Sequence, residues 1–347
     1  MFPNVFKSTV LKSTVLALTI GLTISPAIQA SGSPSLVNWD QILSGDQEPM
    51  NYLQTFGDNP AITKETVGGD CLGVADPFLV RDGQTYHLFF EVLRPLSANG
   101  NNQDEIGHAY STNFKDWTYT GTVFSRAEHG HRAAYPYVFK DQDQWYMIPD
   151  APSDHIKLYR AKRFPDQWEL VCKQLDHPDA RFMDTNVFRY KGLLYLTTTN
   201  RRESMGMSLY VSQTGDLLNP KWQLHPESSK LEHVISDPNQ KRGGGRPLVL
   251  SDRVIFPMQV SKGSNYGYRT DLIEFKNLTP KTVTVSDKGI WTIGQHNGLW
   301  NSLGMHHISY APYQGNMVFV ADGKDDTGEY RLGFYTLSDE VVQQPLS

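Results

Sequence analysis

Five segments of this chain repeat one pattern. A strand with a polar opening runs into a tight turn, and a second strand follows that closes on a polar side chain. The segments are VADPFLVRDGQTYHLFFE (residues 74–91), AAYPYVFKDQDQWYMIPD (133–150), FMDTNVFRYKGLLYLTTTN (182–200), GGRPLVLSDRVIFPMQ (244–259) and MHHISYAPYQGNMVFVAD (305–322). Matching points at Asp76, Pro136, Asp184, Arg246 and His306 fall 60, 48, 62 and 60 residues apart. A repeat of that length built from short strands is the mark of a propeller blade, so the chain is expected to be an all-β, five-bladed β-propeller. In such a ring, every first strand starts and every second strand ends at the same mouth of the central channel. The repeated polar positions are therefore expected to converge on one site.

The rest of the chain divides around this repeat. Lys7 and Lys12 precede a short apolar run over residues 15–24 that ends in an Ala27-Ile-Gln-Ala30 site, the layout of an export signal over residues 1–30. The run is short for a bilayer span, which needs about 20 apolar residues. A mature, periplasmic or secreted chain beginning near Ser31 is expected, and the mass of the exported protein would check it. Residues 31–69 hold turn formers and little periodicity and read as a linker and lead-in. Residues 70–347 form the propeller.

Without the leader, 30 basic residues face 37 acidic ones. That balance disfavours nucleic acid or an anionic membrane surface as partner. Cys71 and Cys172 could pair in an oxidising compartment or remain two thiols, and their spacing does not decide.

Each blade also shows outer strands whose residues alternate in polarity, such as Glu105–Ser111 and Trp117–Phe124 in the first blade and Ile156–Ala161 in the second. The fifth has Arg331–Thr336 and no outer strand after it. The segment Ala61–Val67 is the candidate to fill that place and lock the ring. Trp117, Trp168 and Trp222 stand at blade ends, where packing between blades is the expected role for large aromatic rings.

The carboxylates carry the chemistry. Asp76 and Asp184 open the innermost strands of blades one and three in register. Glu91 and Asp150 close the second strands of blades one and two after strongly apolar runs, where an unpaired charge is costly. Arg201, Arg202 and Arg246 are available to pair them or to hold an acidic sugar. Cleavage of a glycosidic bond needs such a set. One carboxylic acid protonates the leaving oxygen and another activates water or attacks carbon, their pKa values separated by neighbouring charge and burial.

The motifs ADPFLV…YHLFFE, YPYVF…WYMIPD, LYRAKRFPDQWEL, MDTNVF…LYL and GGRPLV, spread over about residues 70–340, resemble the five-bladed glycosidases of glycoside hydrolase family 43, the arabinanase and xylosidase type. They resemble still more the branch typified by the amino-terminal domain of plant glucosamine inositolphosphorylceramide transferases and its bacterial relatives. The resemblance implies a general base at Asp76 and an acid-tuning carboxylate at Asp184. It places at His306, or less directly His307, the histidine that helps hold a central ion in arabinanases, so a structural calcium there would fit, with no other cofactor required. The chain departs from the glycosidases in blade four, where Gly243-Gly-Gly-Arg246 stands in place of the general-acid Glu. Glu91 and Asp150 are the replacements on offer.

Three readings follow. The first is an exported glycoside hydrolase, inverting, acting on an oligo- or polysaccharide with Tyr135, Arg201, Arg246, Gln259, Tyr266 and His306 as substrate contacts. The second is a sugar-binding propeller without catalysis, and the third a retaining fructan-type enzyme with Asp76 as nucleophile. A purely structural propeller would scatter the five aligned polar positions.

Overall fold

The computed structural model describes residues 37–44, 52–151, 155–177, 180–200, 206–231, 242–290 and 299–342. The leader-like segment, Arg201 and Arg202 lie outside these residues. A short helix α1 (Trp39–Ile42), strand β1 (Leu53–Thr55) and a single helical turn α2 (Lys64–Val67) come first. Four sheets follow in chain order. The first is β2 (Gly73–Asp82), β3 (Thr85–Leu93), β4 (Glu105–Ser111) and β5 (Thr118–Phe124). After the turn α3 (Arg126–His129) comes the second, β6 (Ala134–Asp141), β7 (Gln144–Asp150), β8 (His155–Arg163) and β9 (Gln167–Asp176). The third is β10 (Phe182–Tyr190), β11 (Leu193–Asn200), β12 (Met207–Ser212) and β13 (Trp222–Leu224). The fourth is β14 (Arg242–Gly243), β15 (Leu248–Val249), β16 (Arg253–Lys262), β17 (Asn265–Lys276) and β18 (Thr284–Ile290).

The fifth sheet is built differently. β19 (Ile308–Tyr313), β20 (Asn316–Lys324) and β21 (Tyr330–Leu337) supply three strands, and β1 pairs antiparallel with β21 as the fourth, Leu53 opposite Leu337. The ring therefore closes with an amino-terminal strand, but that strand is Leu53–Thr55 rather than Ala61–Val67. The reason lies in Thr63. Its hydroxyl accepts from the Glu65 amide while the Thr66 hydroxyl accepts from its own, so a capping box turns Lys64–Val67 helical. Of Ala61–Val67, the first two residues alone bond β21, the Ala61 amide donating to the Leu332 carbonyl at 2.8 Å and Ile62 forming an isolated bridge to Leu332. Part of the lead-in belongs to the propeller too: Val37 bridges Val342, and Trp39 and Ile42 pack with Tyr335 and Leu337.

Strands nearest the axis are buried almost throughout because blades cover both their faces, whereas an outer strand such as β9 alternates. Register is set by the hairpins. Lys191-Gly192 and Gln314-Gly315 both hold positive φ at the two turn positions, the geometry that matches strand twist.

Tryptophans fill the seams between blades. The Trp117 ring stacks on Phe334 of blade five with centroids 4.9 Å apart and planes 6° from parallel. Trp168 meets Phe89 of blade one edge-on, and the Trp222 indole donates to Gln174 of blade two at 3.1 Å. Cys71 and Cys172 are free thiols.

Candidate active site

A shared backbone device aims side chains at the mouth. Between the first two strands of blades one, two and three the register slips at Ala75/Phe78, Ala134/Tyr137 and Met183/Asn186. At each slip one residue takes positive φ: Asp76 at 49°, Tyr135 at 45° and Asp184 at 52°. Such a bulge turns a side chain out of the pleat, and a left-handed conformation away from glycine is strain retained for a purpose. The equivalent position in blade two is thus Tyr135, one residue before the Pro136 chosen from spacing.

Tyr135 spans the channel. Its hydroxyl receives Asn186 Nδ2 at 2.9 Å and the Gly245 amide at 3.2 Å, and it donates to the Gly245 carbonyl at 3.1 Å. With 2% exposure and these three partners it is scaffold rather than a substrate-binding hydroxyl.

Above it the carboxylates converge. Glu91 and Asp150 end the second strands opposite Ala75 and Ala134, so each stands beside a bulge. Thr199, opposite Met183, holds the corresponding place in blade three, and Gln259 and Asp322 stand near the ends of the second strands in blades four and five. Burial pushes the Asp76 carboxyl up to about 6; Asp322 and Asp184 add to the rise, and His306 opposes it. Glu91 lies within hydrogen-bonding reach of both Asp76 and Asp104, and burial with these two neighbours holds its proton well above the usual range. Asp150 is pushed up to about 7, first by burial and then by the charge of Asp184, with Arg132 and Arg242 opposing. Asp184 differs. Arg242 clamps it through Nε at 2.7 Å and Nη2 at 2.9 Å, a bidentate ion pair, and the remaining Nη1 donates to Tyr266 at 2.9 Å. The Tyr266 hydroxyl also donates to buried Gln259 at 3.3 Å.

His306 completes the cluster. Its Nδ1 lies 2.7 Å from Asp322 and its Nε2 3.6 Å from Asp76. Asp322 also receives the backbone amides of His306, His307 and Asp76. Burial, the largest single influence, would lower the imidazole pKa, but the charge of Asp322, its hydrogen bond and the charge of Asp76 together outweigh it and keep the ring's proton affinity raised. The ligating atoms of Asp76, His306 and Asp322 all lie within 4.8 Å of one another. Two carboxylates and one imidazole, the latter facing a carboxylate at each nitrogen, are a poor start for the six to eight oxygens calcium takes.

Deeper in the channel the guanidinium of Arg246 lies over Tyr137 and Phe78, bonded to the Val138 carbonyl at 2.6 Å and Ser309 Oγ at 3.3 Å. His307, fully buried against Phe78, is pushed down to about 3 by burial, the charge of Arg246 adding to the fall. A cation occupies the interior already, so a central calcium does not fit these residues.

Arg246 is corrected on the same ground. Its Nε and Nη2 are engaged by Ser309 and Val138 inside the channel, which turns the guanidinium over Phe78 and Tyr137. Arg242, Asp322, Arg132 and Asp104 are site residues that motif reading missed. Asp322 was legible, since it ends the fifth repeat as Glu91 and Asp150 end theirs. Arg242 stands just before the glycine triplet, outside the repeat, and only the fold brings it to Asp184.

The fold and the mouth define a five-bladed propeller of the architecture found in glycosidases. The catalytic domain of a GH62 α-L-arabinofuranosidase from Coprinopsis cinerea superposes with a TM-score of 0.56 at 11% identity, over 83% of this chain and 97% of that one. A thermostable family-43 glycoside hydrolase gives 0.54 at 16%, over 82% and 98%, and an α-L-arabinanase mutant from Cellvibrio cellulosa 0.53 at 15%, over 80% and 100%. At these identities the likeness is one of fold.

The sequence is more specific: residues 58–324 match the family described as glucosamine inositolphosphorylceramide transferase 1, N-terminal, and the chain belongs to that family. Glucosamine inositolphosphorylceramide transferase 1 of Oryza sativa subsp. indica is 30% identical over 260 residues, covering 72% of this chain and 33% of that protein. The Arabidopsis thaliana protein of the same name is 26% identical over 285 residues, covering 76% and 34%. The chain spans about a third of the length of the curated relatives it matches.

Proposed function

We propose that this propeller acts on glycosidic bonds, binding an oligo- or polysaccharide at the channel mouth and cleaving it by inversion. The observation that supports this reading most is the set of raised proton affinities in one buried cluster, Asp76 to about 6, Asp150 to about 7 and Glu91 well above its usual range. Near neutral pH such a set holds an ionised base beside a protonated acid. Asp76 is the base that takes a proton from water. Glu91 touches Asp76, which leaves no room for the water that an inverting pair separated by about 6.5–9.5 Å must admit. Asp150, on the neighbouring blade, is therefore the acid that protonates the departing sugar oxygen. Asp184, anchored by Arg242, keeps that proton in place by its charge. Gln259 and Tyr266 offer contacts to sugar hydroxyls. Release of reducing ends from a panel of furanosides and acidic oligosaccharides by the purified chain is the direct test, and no turnover on any of them sinks the hydrolytic reading.

The pH dependence should follow. kcat/KM is expected to fall below about pH 6 as Asp76 gains a proton and above about pH 7 as Asp150 loses one, a narrow bell. In Asp184→Asn the negative charge that raises the Asp150 pKa is gone, Asp150 ionises more readily, and the alkaline limb should move to lower pH. An unmoved alkaline limb would remove Asp184 from the mechanism as written.

The glycine triplet of blade four favours a second reading, a saccharide-binding propeller that has lost hydrolysis, because no side chain acid stands there. Sugar binding by calorimetry without turnover would select it. The transferase activity named for the longer relatives is a further candidate for a whole protein of which this propeller is one part. Donor-dependent glycosyl transfer would reveal it. Export remains a proposal resting on residues 1–30.

A further inference from the structure

We infer that the mouth carries an anion subsite, in which Arg132 and Lys157, the latter held by His131, form a cationic wall beside Asp150 that receives a carboxylate or phosphate group on the saccharide. This inference rests on the saccharide reading above. The wall is built from two elements. The α3–β6 connection brings His131 and Arg132, and β8 brings His155 and Lys157. Lys157 and His155 line one cleft with Asp150, Met183 and Thr185.

The geometry fixes the protonation pattern of the wall. His131 Nδ1 lies 2.9 Å from the Arg132 carbonyl, an acceptor only, so Nδ1 carries the proton. Nε2 is then an acceptor, and it takes one N–H of the Lys157 ammonium at 3.1 Å. The flexible lysine is thereby held at the cleft wall. Burial is the main cause that lowers the His131 proton affinity; the hydrogen bond to the Arg132 carbonyl opposes it, and the charges of Lys157 and Arg126 add to the fall. Arg132 faces both Glu91 and Asp150. Glu91, whose proton affinity burial holds well above the usual range, does little to cancel the wall near neutral pH, and Asp150, at about 7, cancels it only in part. Half-buried cations grouped in this way favour an anion much more than exposed ones, since water screens them less.

The test measures binding rather than turnover, so it stands apart from the hydrolytic reading. D-glucuronate, its methyl ester, methyl glucoside and inorganic phosphate are titrated into the full chain by calorimetry, with Lys157→Gln and His131→Gln as variants. Lys162→Gln, a 62% exposed neighbour on β8, is the control. Glucuronate should bind roughly tenfold more tightly than its uncharged ester, as expected for a charge-assisted contact. Lys157→Gln and His131→Gln should each lose most of that advantage at unchanged Tm, and Lys162→Gln should lose none. The same loss for phosphate would name a phosphorylated saccharide as the source, and a loss for glucuronate alone a uronic acid. Equal binding of acid and ester, or folded variants that bind like wild type, would overturn the subsite. Anion binding without any binding of methyl glucoside or other neutral sugar would instead leave the subsite standing and count against the saccharide reading.

Discussion

Asp76→Asn should abolish turnover, by roughly 10²–10⁴-fold in kcat, the range general-base assistance supplies. The amide keeps the shape of the carboxylate and cannot take a proton from water. Its surroundings tolerate the exchange. Asp76 sits in a bulge with its amide already bonded to Asp322, and its side chain is 14% exposed, so the backbone that aims it does not depend on its charge. Saccharide affinity should therefore stay within a few-fold of wild type while kcat collapses. That separation is what distinguishes a base from a binding contact.

Asp76→Asn should leave another mark on the same protein. Asp76 is one of the charges that keep Glu91 protonated, so removing it should let Glu91 ionise at lower pH. Near wild-type turnover in Asp76→Asn would move the catalyst elsewhere. A retaining mechanism would instead show itself by rescue with small external nucleophiles such as azide, the product keeping a new bond at the anomeric carbon.

The five blades were legible because a propeller writes its period into the chain. Inner strands covered on both faces must be apolar, and their polar ends must recur where the channel opens. That is why Asp76, Asp184, Glu91 and Asp150 could be named from position alone and why the structure brings them together. The missed parts depend on partners distant in sequence. Arg242, outside the repeat, reaches Asp184 across 58 positions, and no local pattern announces that contact; Asp322 does end the fifth repeat, but its bond to Asp76 spans 246 positions. Arg246 misled for a related reason: an arginine at a strand opening looks the same whether it faces solvent or turns inward over Phe78. Tyr135 was displaced by one residue because proline marks a turn in sequence, whereas the bulge is set by the residue before it.

Gly245→Ala should cost about 3–5 kcal/mol of stability, from backbone strain of about 1–3 kcal/mol together with the loss of hydrogen bonds worth about 1 kcal/mol each. Gly245 holds φ near +141°, and a Cβ placed on it would lie 1.9 Å from the Ile308 carbonyl oxygen. Here the innermost strands of blades four and five lock together. Gly245 bridges Ile308 in parallel, the Ile308 amide donates to the Gly244 carbonyl at 2.8 Å, and the Arg246 amide donates to the Ile308 carbonyl at 3.0 Å. A methyl group must push the blades apart and break those bonds, and with them the Tyr135 contacts that cross the channel. The midpoint of thermal unfolding should fall by on the order of 10 °C. Gly263→Ala, at a hairpin turn with nothing within 4 Å of the new carbon, should cost only the strain of its positive φ, about 1 kcal/mol. A Gly245→Ala protein melting within a degree or two of wild type would refute the lock. The same geometry bears on catalysis. Gly244 is as tightly enclosed, its added Cβ only 2.7 Å from the Gln259 amide and 2.8 Å from the His306 carbonyl. A glutamate restored at either position could not be accommodated, so the missing acid of blade four cannot be rebuilt at Gly244 or Gly245. If this propeller hydrolyses glycosides, its proton donor must come from the end of a second strand, where Asp150 stands.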